Sequence, residues 1–258
     1  MGIVWLVIGL DWRNSLTTFI WDFDGTLVDS YEAIGEALKV TYAHYGLTFD
    51  EEWVMDFIIK ESVKALLYQV ATQEQLNFEE LSSFFKKEQE ARDHMIKPMP
   101  NLACVLETTW KNGIQHFVYT HKGITANNVL ERLGVRKYFT EVVTSANGFA
   151  RKPQPEAIEY LVEKYGLDKA STYYVGDRRI DVEAAENAGV KSINLGQPDS
   201  KINQKIAKNL IYYRKAANLT QAELAEKLGL TTGEYVERLV RQDRESGRSL
   251  RVPALMRD

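Results

Sequence analysis

Short apolar, β-branched runs alternate along the chain with longer segments whose apolar residues recur at three- and four-residue steps. "TFIWD" at 18–22 reads as a buried strand, as do 117–120, "EVVTS" from Glu141, "TYYVGD" from Thr172 and "VKSINL" from Val190. Between the later runs, 124–133, 155–165 and 180–188 have helical periodicity. Gly134, Gly166 and Gly189 follow as stop signals, and Pro155 suits a first turn. Such alternation predicts an α/β fold with a doubly wound parallel sheet.

One stretch breaks the rhythm. From Tyr31 to about Lys97 no strand is expected. "YEAIGEALKVTYAHYG", "EEWVMDFIIKESVKALLYQV" and "FEELSSFFKKEQEARDHM" each repeat with helical period, and "KPMP" at 97–100 reads as an exit hinge. The expected layout is a Rossmann-like α/β core at 17–30 and 98–196, an inserted all-helical cap at 31–97, and a separate module at 202–258.

Composition narrows the classes. The 258 residues are 45% hydrophobic and 26% charged, as in ordinary globular proteins, and the net charge of -4 excludes a strongly basic overall field. The single cysteine, Cys104, excludes an internal disulfide framework. It fits a reducing cytoplasm and is expected to be a buried small apolar residue. "IVWLVIGL" at 3–10 has no preceding basic residue and is too short to span a bilayer, so no membrane association is expected. It reads as an extra strand or as residues ahead of the natural start. Charge splits near "GQPDSK", a linker-like stretch at 196–201. From Lys201 onward 12 Lys and Arg face 7 Asp and Glu, whereas the first 200 residues carry -9.

The candidate chemistry lies at the strand ends, where open α/β sheets bind ligands. Asp22, Asp24, Gly25 and Thr26 follow the first strand, and Thr120 and His121 the second. Arg151 and Lys152 follow the third, and Asp177 and Asp181 the fourth. Four carboxylates against one ammonium stay over-negative, and a hard divalent cation is the natural complement. Mg²⁺ binds through few carboxylates and completes its shell from water and substrate phosphate. Taken singly, Asp24–Gly25 is a turn, Thr120 a strand-end cap, Lys152 a solvated loop lysine and Asp177 an N-cap. Their coincidence at four strand ends argues for a site.

The ordered set "DFDGTLVDS", "VYTHKG", "RKPQP" and "GDRRID" resembles the haloacid dehalogenase-like (HAD) hydrolase superfamily over roughly 17–196, and the helical insertion is similar to that family's cap. The resemblance implies Asp22 as nucleophile, forming an aspartyl-phosphate, and Asp24 as acid and then base. It implies Mg²⁺ held by Asp22, the Asp24 backbone carbonyl and Asp177, with Asp181 supporting that shell. Thr120 and Lys152 would hold phosphoryl oxygens, and His121 is a candidate substrate contact. An acid at Asp24 favours phosphoryl over carbon–halogen chemistry, since halide needs no proton. A phosphoglycolate phosphatase-type enzyme acting on a small phosphorylated metabolite is the expected function. The cap lacks the histidine after Asp29–Ser30 that related sugar-phosphate mutases carry.

Other residues have plainer readings. His44 and His94 are expected on the surface or cap, and His116 ahead of a strand. Tyr31, Trp53 and Phe57 are read as cap core, and Arg92, His94 and Lys97 as a solvated helix face. Toward the C-terminus, Thr220 suits an N-cap, Glu223 three residues on would complete a capping box, and Gly229 reads as a helix stop. This segment resembles the helix-turn-helix of phage-repressor-like regulators, which implies DNA contacts from Gln221 and the helix starting at Thr232. A docking or dimerising appendage is the plainer alternative. With it stands a second functional class, a DNA-binding regulator whose HAD-like domain senses a phosphometabolite.

Overall fold

The computed structural model describes residues 17–196. The apolar segment at 3–10 and the module at 202–258, with Gln221 and Thr232, lie outside the described residues.

Five strands form one parallel sheet: β1 (Thr18–Trp21), β4 (Gln115–Tyr119), β5 (Glu141–Val143), β6 (Thr172–Gly176) and β7 (Lys191–Asn194), in the order β5-β4-β1-β6-β7. Both faces are covered, which explains why the strands read as continuous apolar runs. Phe19, Trp21, Val118 and Val175 pack on one face, and Ile20, Phe117, Tyr119 and Tyr174 on the other. From β1 the chain winds outward through β4 and β5, then returns to the other side of β1 for β6 and β7. The direction of winding therefore switches between β1 and β6, where a crevice opens at the carboxyl ends.

The insertion that follows β1 holds four α-helices: α1 (Tyr31–His44), α2 (Glu51–Lys60), α3 (Val63–Gln73) and α4 (Phe78–Ala91). They bury a cluster of their own that includes Leu38, Val54, Leu66, Leu81 and Phe85. The sequence pattern joined α2 and α3 into one helix. The structure breaks them at Ser62, which is extended and whose Oγ accepts from the Ala65 N–H, capping α3. "KPMP" is more than a hinge: β3 (Lys97–Pro98) pairs antiparallel with β2 (Val28–Asp29), tying the insertion's exit to its entrance. The remaining helices are α5 (Leu102–Lys111), α6 (Thr125–Arg132), α7 (Glu156–Tyr165) and α8 (Arg179–Ala188).

Helix α5 was not anticipated, and it corrects two expectations. Leu102, Val105, Leu106 and Thr109 form its buried stripe, so Cys104 falls on the opposite face and is exposed. Thr109 Oγ lies 2.9 Å from His116 Nε2, while His116 Nδ1 accepts from Trp21 Nε1 at 3.0 Å. His116 thus sits inside β4, not ahead of it, and is fully buried. Burial lowers its pKa to about 3, so the ring is neutral, with Nε2–H donating to Thr109. No helix among the described residues is long and apolar enough to cross a membrane.

Candidate active site

The four strand-end segments converge at the switch point. Asp22 follows β1 with its N–H donating to the Val175 carbonyl of β6 at 2.8 Å, which carries the first carboxylate directly off the sheet. Lys152 Nζ contacts Asp22 Oδ1 at 2.5 Å and Asp181 Oδ1 at 2.8 Å, and all three side chains are buried. The lysine sits 5.2 Å from the ring centroids of both Tyr119 and Tyr174. Desolvation works against its charge, but Asp181 and Asp22 outweigh it and hold the ammonium well above the usual lysine range. The solvated-loop reading of Lys152 is therefore excluded by its burial.

Asp22 has the opposite problem. Burial raises its carboxyl to about 7, opposed by Lys152 and reinforced by the negative charge of Asp181. Asp177 is raised in the same direction, again chiefly by burial and then by Asp181. One oxygen each of Asp22, Asp177 and Asp181 lie within 4.8 Å of one another. Both oxygens of Asp181 are engaged, Oδ1 by Lys152 and Oδ2 by the Arg178 N–H at 3.1 Å. Asp22 Oδ2 and Asp24 Oδ1 are buried with no hydrogen-bond partner. The Asp177 carboxylate accepts long contacts from Thr26 Oγ and the Tyr31 hydroxyl, at 3.4 Å each. This donor set fits a divalent cation: excess negative charge, hard oxygen ligands, and an unpartnered oxygen on Asp22, with Asp181 already accepting at both oxygens.

Gly25 makes the close approach possible. It has φ +76°, and a Cβ there would overlap the Asp177 carboxylate. Thr120 is buried, with its Oγ accepting from the Lys122 N–H at 3.0 Å, so its hydroxyl proton stays available to a ligand. His121 is brought to the site as a support: its Nε2 accepts from the Lys152 N–H at 3.0 Å and fixes the lysine loop. Burial and the neighbouring cations lower its pKa to about 2, so it is neutral.

A cavity of about 420 Å³ separates the helical insertion from the strand ends. Asp24, His121 and Arg178 line its sheet side, while Asp22, Thr120, Lys152 and Asp177 do not reach its wall. The sequence pattern missed two residues here. Tyr31, read as cap core, packs against that core yet points its hydroxyl at Asp177. Arg178 lies beside Asp22, Asp181 and Asp177, whose charges overcome its desolvation and raise its pKa. "GDRRID" offered two adjacent arginines, and nothing in the pattern says which one turns inward. Lys97 is exposed and pairs with Glu32, but on β3 and not on a helix face, and Arg92 is part-buried in its pair with Glu88.

A doubly wound sheet with a helical insertion over its carboxylate-lined edge defines an α/β enzyme of the capped kind. The family model described as haloacid dehalogenase-like hydrolase matches residues 19–195. The chain belongs to the haloacid dehalogenase-like hydrolases. It is 29% identical over 181 residues to a phosphoglycolate phosphatase of Aquifex aeolicus, covering 69% of this chain and 83% of that protein. It is 31% identical over 182 residues to the pyrophosphatase PpaX of Bacillus velezensis, covering 69% and 82%. Among solved structures it is similar to a hydrolase from Streptococcus pneumoniae, with TM-score 0.51, 29% identity, and 79% and 99% of the two chains covered. Membership makes it a hydrolase.

Proposed function

We propose that the protein is a Mg²⁺-dependent phosphatase that hydrolyses a small phosphorylated metabolite through an aspartyl-phosphate on Asp22. The observation that carries this reading is the buried contact of Lys152 with both Asp22 and Asp181, beside Asp177. Asp22 attacks phosphorus and forms a P–O bond as the bond to the leaving oxygen breaks. Asp24, with an unpartnered oxygen and a place on the cavity wall, gives that oxygen its proton. It then takes a proton from the water that attacks phosphorus, and the Asp22 carboxylate is released. Lys152 orients Asp22, and with the Thr120 hydroxyl it offers donors to the phosphoryl oxygens, so positioning and charge do most of the catalysis. Asp22, the Asp24 backbone carbonyl and Asp177 would hold Mg²⁺, with Asp181 fixing Lys152 and the start of α8. When bound, the ion supplies positive charge that favours ionised Asp22 and screens it from an anionic substrate.

Phosphate release from p-nitrophenyl phosphate tests the reading. Chelation by EDTA is expected to abolish it and Mg²⁺ to restore it. Asp22→Asn is expected to lower kcat about a thousandfold or more. Release that survives both treatments would contradict the proposal.

A further inference from the structure

The last helix of the insertion meets the loop after β4 along one face. On α4, Lys86 and Glu90 stand one turn apart. A side chain at Gly123 would begin 3.6 Å from Lys86 Cε and 3.6 Å from Glu90 Oε1, so the glycine lets helix and loop lie close. Just beyond α4, in the 3-10 turn Asp93–Met95, Asp93 Oδ1 accepts from Lys122 Nζ at 2.5 Å. The side chains are withdrawn from water, 3% exposed for the lysine and 15% for the aspartate. From α6, Arg132 holds the same turn through the carbonyls of Asp93 at 3.0 Å and Ile96 at 2.7 Å.

A buried ion pair adds little net stability over apolar side chains of similar volume, so stability alone gives weak reason for this one. Its position gives a better reason. Lys122 stands two residues after Thr120, and its N–H donates to Thr120 Oγ at 3.0 Å. The Lys122 carbonyl accepts from the Ser145 N–H, and the Thr120 N–H donates to the Val143 carbonyl, both at 3.0 Å. Those two bonds tie the loop to β5 and the segment after it. The Lys122 side chain ties the same loop to the insertion. Without the Asp93 charge, the Lys122 ammonium is buried and unpaired, and it must move to water and draw its main chain with it.

We propose that Asp93 is a positioning residue for phosphoryl transfer: by anchoring Lys122 it fixes the main-chain N–H that sets the Thr120 hydroxyl. Thr120 is then in place only while the exit of the insertion is seated on the sheet side. This rests on the phosphatase reading above and adds to it a residue that touches neither substrate nor metal.

The test is a double-mutant cycle between Asp93→Asn and Thr120→Val. Its readouts are kcat and KM for p-nitrophenyl phosphate and calorimetric affinity for inorganic phosphate, each with Mg²⁺. Asp93→Asn alone is expected to lower kcat about tenfold or more and to weaken phosphate binding. In Thr120→Val protein the same change is expected to cost less than about twofold further, because its effect runs through that hydroxyl. Lys122→Met is held to the same outcomes should Asp93→Asn lose its fold. Lys97→Met removes the exposed pair with Glu32 beside the same exit and is expected to change neither readout. A lowered urea midpoint with unchanged kcat and phosphate affinity would make the pair merely structural and overturn the proposal. A full, additive loss in Thr120→Val protein overturns it too. Turnover by the unaltered protein judges the phosphatase reading separately: if there is none, that reading fails, and the phosphate affinities still decide on Asp93.

Discussion

His116 and Lys152 show how burial decides a residue's role. Lys152 is buried with two carboxylates and stays charged, whereas His116 is buried between an indole N–H and a threonine hydroxyl and stays neutral. Its folded pKa of about 3 lies below the usual 6.5. The unfolded chain therefore takes up a proton first, and this contribution to stability is full above pH 6.5 and lost as pH falls toward 3. The slope is at most about 1.4 kcal/mol per pH unit. Urea midpoints at pH 7 and pH 5 should fall further for the unaltered protein than for His116→Gln, which keeps an acceptor for Trp21; equal falls would contradict the assignment. At this scale the site was largely legible. Asp22, Asp24, Thr120, Lys152 and Asp177 each follow a strand that the apolar pattern marks clearly, and chemistry restricts what acids gathered there can do. His116, Cys104, Tyr31 and Arg178 were not legible. Their surroundings come from α5, from the inward turn of one of two adjacent arginines, and from the docking of α1, none of which is a local signal.

Among the elements, the break between α2 and α3 is a case of a cap outweighing periodicity. Apolar residues recur with one period across 51–70, yet Ser62 turns extended and its side chain satisfies an otherwise free N–H of the next helix. Ser62→Ala is expected to destabilise the protein by about 1 kcal/mol, read as a lowered urea midpoint. No change would mean that packing alone ends α2. The paired strands β2 and β3 were invisible because two residues carry no alternation, and their partners lie far apart in sequence. Helix α5 was missed although its buried stripe has ordinary helical spacing, because it directly follows the proline-flanked exit of the insertion. Lys122 and Arg132 hold that exit to the sheet side, Lys122 through Asp93 and Arg132 through the carbonyls of Asp93 and Ile96. The helical wall is thus tethered to the loop that carries Thr120 and His121.

For the whole molecule, two hydrophobic units and one polar seam divide the work. The sheet clusters hold strand ends in register, the helical cluster builds a wall over them, and the charged groups gather between the two. The order of four short motifs along the chain made this architecture readable, whereas the substrate-facing wall depends on how helices dock and had to be seen. The central claim is that phosphate passes through a covalent bond to Asp22. Protein quenched during turnover of p-nitrophenyl phosphate with Mg²⁺ and reduced with borohydride should yield peptides in which Asp22 has become homoserine, the product of a trapped acyl-phosphate. The same peptides should stay unmodified without substrate. Steady phosphate release with no reduction at Asp22, or with reduction at another carboxylate, would contradict the account.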